Sequence, residues 1–102
     1  MAIDINNRDF WIKVVGMLQQ NWALIGKNGD SNAVYFLDDM GKVFDHIDFE
    51  SVDEAQAALA RNGFRLFAEE KKLQEIISLP REPFTYGSHP SGKIYSSGDY
   101  WV

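Results

Sequence analysis

Carboxylate side chains are concentrated in one stretch of the sequence, residues 38–54. This stretch contains seven of the fifteen Asp and Glu residues and only one of the ten Lys and Arg residues. The rest of the chain, with eight acidic and nine basic residues, is close to neutral, so the formal net charge of −5 arises here. Carboxylates gathered in this way can attract a basic protein surface or hold a divalent cation.

A cation site could be built from four aspartates of this stretch: Asp38, Asp39, Asp45 and Asp48. Their spacing does not match a calcium-binding loop, in which alternate carboxylates are followed by a glycine and a closing glutamate. Structural roles are also available, because aspartates form turns and acidic residues stabilise the first turn of a helix. We therefore rank structural roles first, docking of a partner second and metal binding third.

Catalytic patterns are missing from the sequence. His46 and His89 could supply metal ligands or an acid–base pair, but no H-x-H or H-E-x-x-H pattern brings histidines together. Ser96 and Ser97 lack the context of a nucleophile elbow, and no phosphate-binding glycine loop is present. The chain has no cysteine, which excludes thiol catalysis and thiolate zinc sites. We predict no enzymatic activity, no catalytic residue and no cofactor.

The carboxy-terminal segment is rich in aromatic residues, with five of them between Phe84 and Trp101. Tyr, Ser and Gly together with Trp are typical of adaptable recognition surfaces. The same residues could instead seal an open edge of a small core, and we favour such a flap. The two roles are compatible, so Tyr95 and Trp101 are kept as secondary partner-binding residues.

Composition favours one soluble domain spanning residues 1–102, because 45% of the residues are apolar and 14% are aromatic. Neither a secretory signal nor an apolar run of the ~20 residues needed to span a membrane is present. The acidic balance argues against nucleic-acid binding, which depends on cationic side chains. We expect a cytoplasmic protein that binds neither membranes nor nucleic acids.

The predicted fold is α+β and begins with a helix over residues 7–20, where Phe10, Val14 and Leu18 recur at the i, i+4, i+8 spacing. Three strands follow and form an antiparallel meander, in which Val43, Ile47 and Phe49 share a face. Two further helices and a carboxy-terminal aromatic strand or flap complete the fold. The predicted strands cover residues 22–27, 32–37 and 42–49; the two further helices cover residues 51–62, with a Ser51–Glu54 capping box, and 69–78.

Both faces of the predicted meander are apolar, so both must be covered. If the chain cannot cover the second face itself, that face would bind a partner or a second copy. A homodimer, or a structural subunit of a larger homo-oligomer, is therefore one of the alternatives.

The leading hypothesis is a small acidic protein-binding module of the inhibitor, immunity-protein or adaptor type. Its acidic strand-turn-helix segment would engage another protein, and we expect a basic one, since complementary charge speeds encounter and sets register. Asp45 and Asp48 would be central, with Asp38, Asp39, Tyr95 and Trp101 secondary. The alternative is a small-molecule or divalent-cation site that combines His46 or His89 with carboxylates and tyrosines.

Overall fold

A computed structural model describes residues 2–3, 5, 7–15 and 19–86 of the chain. These residues form seven strands, two α-helices and a single 3-10 turn. The strands are β1 (Ala2–Ile3), β2 (Trp11–Val15), β3 (Gln19–Asn28), β4 (Ser31–Leu37), β5 (Lys42–Phe49), β6 (Arg65–Leu66) and β7 (Phe84–Tyr86); the helices are α1 (Val52–Arg61) and α2 (Lys71–Ile76), and the 3-10 turn is Phe67–Glu69.

The seven strands lie in one mixed sheet in the order β1-β7-β5-β4-β3-β2-β6. Neighbouring strands are antiparallel except β5 and β7, which are parallel. The predicted arrangement of an amino-terminal helix, a three-stranded meander and two further helices is therefore wrong. Only its coarse description as α+β agrees with the structure.

The predicted helix over residues 7–20 is wrong, because its described residues 11–15 and 19–20 belong to strands. Trp11–Val15 forms β2, and β3 begins at Gln19 and pairs with it in antiparallel register. The spacing of Phe10, Val14 and Leu18 did not distinguish the two structures, because residues four apart also share one face of a strand. The aromatic and β-branched residues of Trp11–Val15 favour a strand, and pairing with β3 decides between the two.

Strands β3, β4 and β5 form the antiparallel centre of the sheet. Between β4 and β5, Phe36 pairs with Asp45 and Leu37 with Val43, so Phe44 is an extra residue in β5. Such a bulge changes which face the following residues occupy. The prediction that Val43 shares a face with Ile47 and Phe49 is therefore wrong.

Each face of the sheet carries its own hydrophobic core. The first core is closed by Ile5 and Phe10 from the amino-terminal segment, together with Phe67, Leu73 and Ile77 from the region of α2. Its sheet residues are Ile12, Trp22, Leu24, Ala33, Tyr35, Leu37, Val43 and Phe84. The chain thus covers this face with its own two distant segments.

The second core lies between the opposite face and α1. The helix buries Ala55, Ala58 and Leu59. The small alanine side chains allow the helix to lie close to the sheet. The sheet side of this core includes Trp11, Ala23, Ile25, Val34 and Phe36, with Phe44, Ile47 and Phe49 partly buried against it. Both apolar faces are therefore covered.

The serine bond of the predicted capping box is present at the start of α1, where the Ser51 hydroxyl accepts a hydrogen bond from the Glu54 amide at 3.1 Å. The helix ends at Arg61, with Asn62 as its C-cap. The helix predicted over residues 69–78 is shorter than expected and forms α2 over Lys71–Ile76. No helix among the described residues is both long enough and apolar enough to cross a membrane.

The aromatic segment enters the sheet through β7, which lies between β1 and β5. Gly41 and Thr85 join β7 to the turn before β5, since the Thr85 amide donates to the Gly41 carbonyl at 3.1 Å. The rest of the predicted flap, including Tyr95 and Trp101, lies outside the described residues.

Candidate functional site

The predicted partner-binding aspartates do not form one cluster. Asp38 and Asp39 lie in the turn before β5, whereas Asp48 lies near the other end of that strand. Asp45 pairs with Phe36 and so occupies the α1 face, and Asp48 pairs with Ala33 on the opposite face. The structure therefore separates the two residues predicted to be central.

Several acidic residues of the 38–54 stretch have structural roles, and Asp38 is the first of them. Its Oδ1 atom accepts hydrogen bonds from the amides of Met40 and Lys42, both at 2.9 Å, and so closes the turn between β4 and β5. The Asp45 Oδ1 atom accepts from the His46 amide at 2.9 Å. Asp53 and Glu54 occupy the first turn of α1, where the helix dipole favours negative charge.

Five exposed carboxylates gather at one end of the sheet, which we call the acidic end: Asp30, Asp48, Glu50, Asp53 and Glu54. The register explains this grouping, because Asn28 pairs with Ser31 and Asn32 with Phe49. The turn between β3 and β4, the end of β5 and the start of α1 therefore meet at this end. Lys27, close to the same turn, is exposed as well.

Four residues of the acidic end, Asp30, Glu50, Asp53 and Glu54, form no ion pair with the residues that the structure describes. The ion pairs Arg8–Glu82 and Arg65–Glu70 lie elsewhere. Sequence reasoning did not include Asp30. The hairpin signal at Asn28–Gly29 could have indicated it, because a meander brings the first turn and the end of the third strand to the same end of the sheet.

A metal site has no support within the described part of the chain, where no group of three His, Asp or Glu side chains could hold an ion. His46 is exposed and lies beside Tyr35, with 5.9 Å between the ring centroids. His89, the other candidate ligand, lies outside the described residues.

Two shallow cavities occur near β6, and neither includes His46 or an aspartate of the 38–54 stretch. One, of about 340 Å³, is lined by Arg8, Phe10, Phe67 and Gln74 among others. The Arg8 guanidinium is engaged by the carbonyls of Ile5 and Asn7 and by the Glu82 carboxylate, and Gln74 donates to the Phe67 carbonyl at 2.8 Å. These polar groups are thus already used within the chain.

The second cavity, of about 380 Å³, lies between the end of α1 and the 3-10 turn. Trp11, Phe64 and Leu66 provide its apolar lining, and Arg65 and Glu70 its charged lining. Arg65 and Glu70 pair with each other at 3.6 Å. One further carboxylate lines each cavity, Asp9 in the first and Glu69 in the second, so neither cavity combines several polar side chains left over for a ligand.

Comparisons with protein families, with characterised proteins and with solved structures gave no match to this chain. We therefore infer its function from the geometry and charge of the molecule itself.

Proposed function

We propose that the chain is a non-enzymatic protein-binding module whose acidic end engages a basic partner protein. The observation that carries this proposal is the gathering of five exposed carboxylates where the β3–β4 turn, the end of β5 and the start of α1 meet. A concentrated field of one sign steers an oppositely charged partner and orients it on approach.

The residues of this proposed interface differ in part from those predicted from the sequence. Asp48 remains within the interface, and Asp30 and Glu50 join it. Asp38 is committed to its turn, and Asp45 occupies the face of the sheet that α1 covers. Tyr95 and Trp101 remain secondary partner-binding residues. We also expect the protein to act in the cytoplasm, which fractionation of native cells would test.

The test is an affinity capture from a lysate of the native host with three forms of the chain. The wild type is compared with Asp30→Lys/Glu50→Lys and with a control, Glu69→Lys/Glu75→Lys. Each double variant changes the formal charge by four, from −5 to −1. All four substituted side chains are exposed. The control therefore matches the change in charge but places it away from the acidic end.

We expect a stoichiometric basic protein to be retained by the wild type and the control and lost with Asp30→Lys/Glu50→Lys. Its retention should also weaken as salt is raised, because exposed charges are screened over a Debye length of about 8 Å at physiological ionic strength. Equal retention by all three forms, or capture of nothing, would contradict the proposal.

The alternatives from the sequence remain proposals with separate tests. A small-molecule site would raise the melting temperature in a ligand screen by mass action. A homodimer was suggested by an uncovered sheet face, and the two cores give that reason no support. Light scattering at high concentration would decide the oligomeric state.

A further inference from the structure

Four side chains lie on the face of the first core along the adjacent strands β4, β5 and β7: Tyr35, His46, Asp48 and Tyr86. We call them the aromatic-acidic cluster. The β4–β5 register pairs Tyr35 with His46 and Ala33 with Asp48. In the parallel pairing of β5 with β7, Tyr86 lies next to Val43, which belongs to the first core. These positions place the four residues on adjacent strands.

The cluster has a buried ring behind an exposed rim. Tyr35 is only 7% exposed, whereas Tyr86 is 57% exposed, and His46 and Asp48 are exposed as well. The rings of Tyr35 and His46 are 5.9 Å apart between centroids and inclined by 30°. The Tyr35 hydroxyl donates to the Lys27 carbonyl at 3.1 Å, which fixes the ring that supports His46.

Two members of the cluster, Tyr86 and Asp48, also affect the pKa of a third, Tyr35. Burial raises the pKa of the Tyr35 hydroxyl above its usual value, and the neighbouring Tyr86 and Asp48 raise it further. Burial disfavours the ionised form of the Tyr35 hydroxyl, and the Asp48 carboxylate disfavours further negative charge beside it. Independently of this pKa, aromatic ring faces attract cations through their quadrupole.

We propose that the aromatic-acidic cluster seats an arginine side chain of the basic partner, with the guanidinium against the His46 and Tyr86 rings and hydrogen-bonded to Asp48. This inference rests on the proposed function and names the residue that the partner supplies. Arginine fits better than lysine because its planar guanidinium can stack on rings and bind a carboxylate through two donors. A carboxylate has about four acceptor positions, so Asp48 can accept this group beside another donor.

The cluster suits an organic cation better than a metal ion. It contains a single carboxylate and a single imidazole, and metal sites need more such ligands. Two exposed rings beside one carboxylate instead match a group that is flat, cationic and only weakly hydrated.

The test is an NMR titration of the full ¹⁵N-labelled chain with N-acetylarginine amide, and with the citrulline analogue as a neutral probe of almost the same shape. We expect saturable amide shifts at His46, Asp48 and Tyr86 with the arginine probe in the millimolar range, and much smaller shifts with citrulline. Asp48→Asn should weaken binding about tenfold, since it removes a charge-assisted pair. Glu75→Gln, which removes an exposed carboxylate of α2 outside the acidic end, should leave the affinity unchanged.

Equal shifts with citrulline, or an unchanged affinity in Asp48→Asn, would overturn the inference. The spectrum of each variant shows directly whether it is folded. The proposed function can fail separately: a basic partner captured equally well by the wild type and by Asp48→Asn would refute the arginine seat while the function stands. Failure to capture any basic partner would refute the function whatever the titration shows.

Discussion

Asn21 and Asn32 are the polar side chains that the described part of the structure buries, at 2% and 8% exposure. The Asn32 amide donates to the Glu50 carbonyl at 3.3 Å, which ties β4 to the segment before α1. Asn21, in contrast, has no hydrogen-bond partner among the described residues on either side-chain atom. An unpaired buried amide costs about 1–3 kcal/mol, so Asn21 lowers the free energy of unfolding.

We therefore predict that Asn21→Val leaves the free energy of unfolding unchanged or raises it by up to ~2 kcal/mol, because it removes unpaired polar atoms and favours a strand. The matched change Asn32→Val should lower the free energy of unfolding by about 1 kcal/mol, since it breaks a hydrogen bond. Urea denaturation measures both. A loss of more than about 1 kcal/mol in Asn21→Val would show that its amide is satisfied in the native protein.

Gly41 allows the turn before β5 to meet the segment that leads into β7. Its φ angle is +84°, and an alanine Cβ at this position would lie 2.2 Å from the Arg81 carbonyl oxygen. Gly29 has a similar φ of +63° but open space around it. The two glycines therefore separate the cost of backbone conformation from the cost of a collision.

We predict that Gly29→Ala lowers the free energy of unfolding by about 1 kcal/mol, the usual cost of a left-handed conformation. Gly41→Ala should lower it by about 3 kcal/mol or more, because the segment at Arg81 must also move. Thermal and urea unfolding of both variants would check this. Similar losses in the two variants would mean that the segment at Arg81 moves aside for the added Cβ without a measurable cost in stability.

At the scale of elements, α1 is the only described helix that covers the second core, and its start depends on Ser51. Ser51→Ala removes the side-chain acceptor for the Glu54 amide and should lower the free energy of unfolding by about 1 kcal/mol. Ser78→Ala, at an exposed position outside the helices, should change it by less than about 0.5 kcal/mol. Equal effects in urea unfolding would argue against the cap.

Sequence patterns predicted those elements whose signals are local. The cap of α1 and the hairpin between β3 and β4 both follow from short motifs with a physical mechanism. β2 was missed because residues four apart share a face in both a helix and a strand. Strands β1, β6 and β7 have only two or three residues, too few to show a period. Their pairing is set by the tertiary fold instead.

Part of the candidate site could also be predicted from the sequence. The concentration of acidic residues is a property of composition and needs no structure. The arrangement of those residues depends on the Phe44 bulge, which places Val43 and Ile47 on different faces. The meander, in turn, brings Asp30 to the acidic end from a distant part of the sequence. No local pattern contains that information.

At the scale of the whole molecule, the sheet lies between two covers of different origin. α1 follows β5 directly in the chain and covers the second core. The first core needs both the amino-terminal segment around Phe10 and the α2 region, which are about sixty residues apart in sequence. One cover is therefore local, and the other is assembled from distant parts of the chain.

The place of β1 next to β7 also has a consequence for biosynthesis. Ala2 pairs with Thr85, so the first strand has no neighbour to bind until more than eighty further residues have been translated. At about 5–20 residues per second, this is a wait of roughly 4 to 16 seconds. The hairpins of β3, β4 and β5 can form during that time, because they join adjacent segments. β1, which precedes the other described strands in the chain, is thus among the last of them to be incorporated into the sheet.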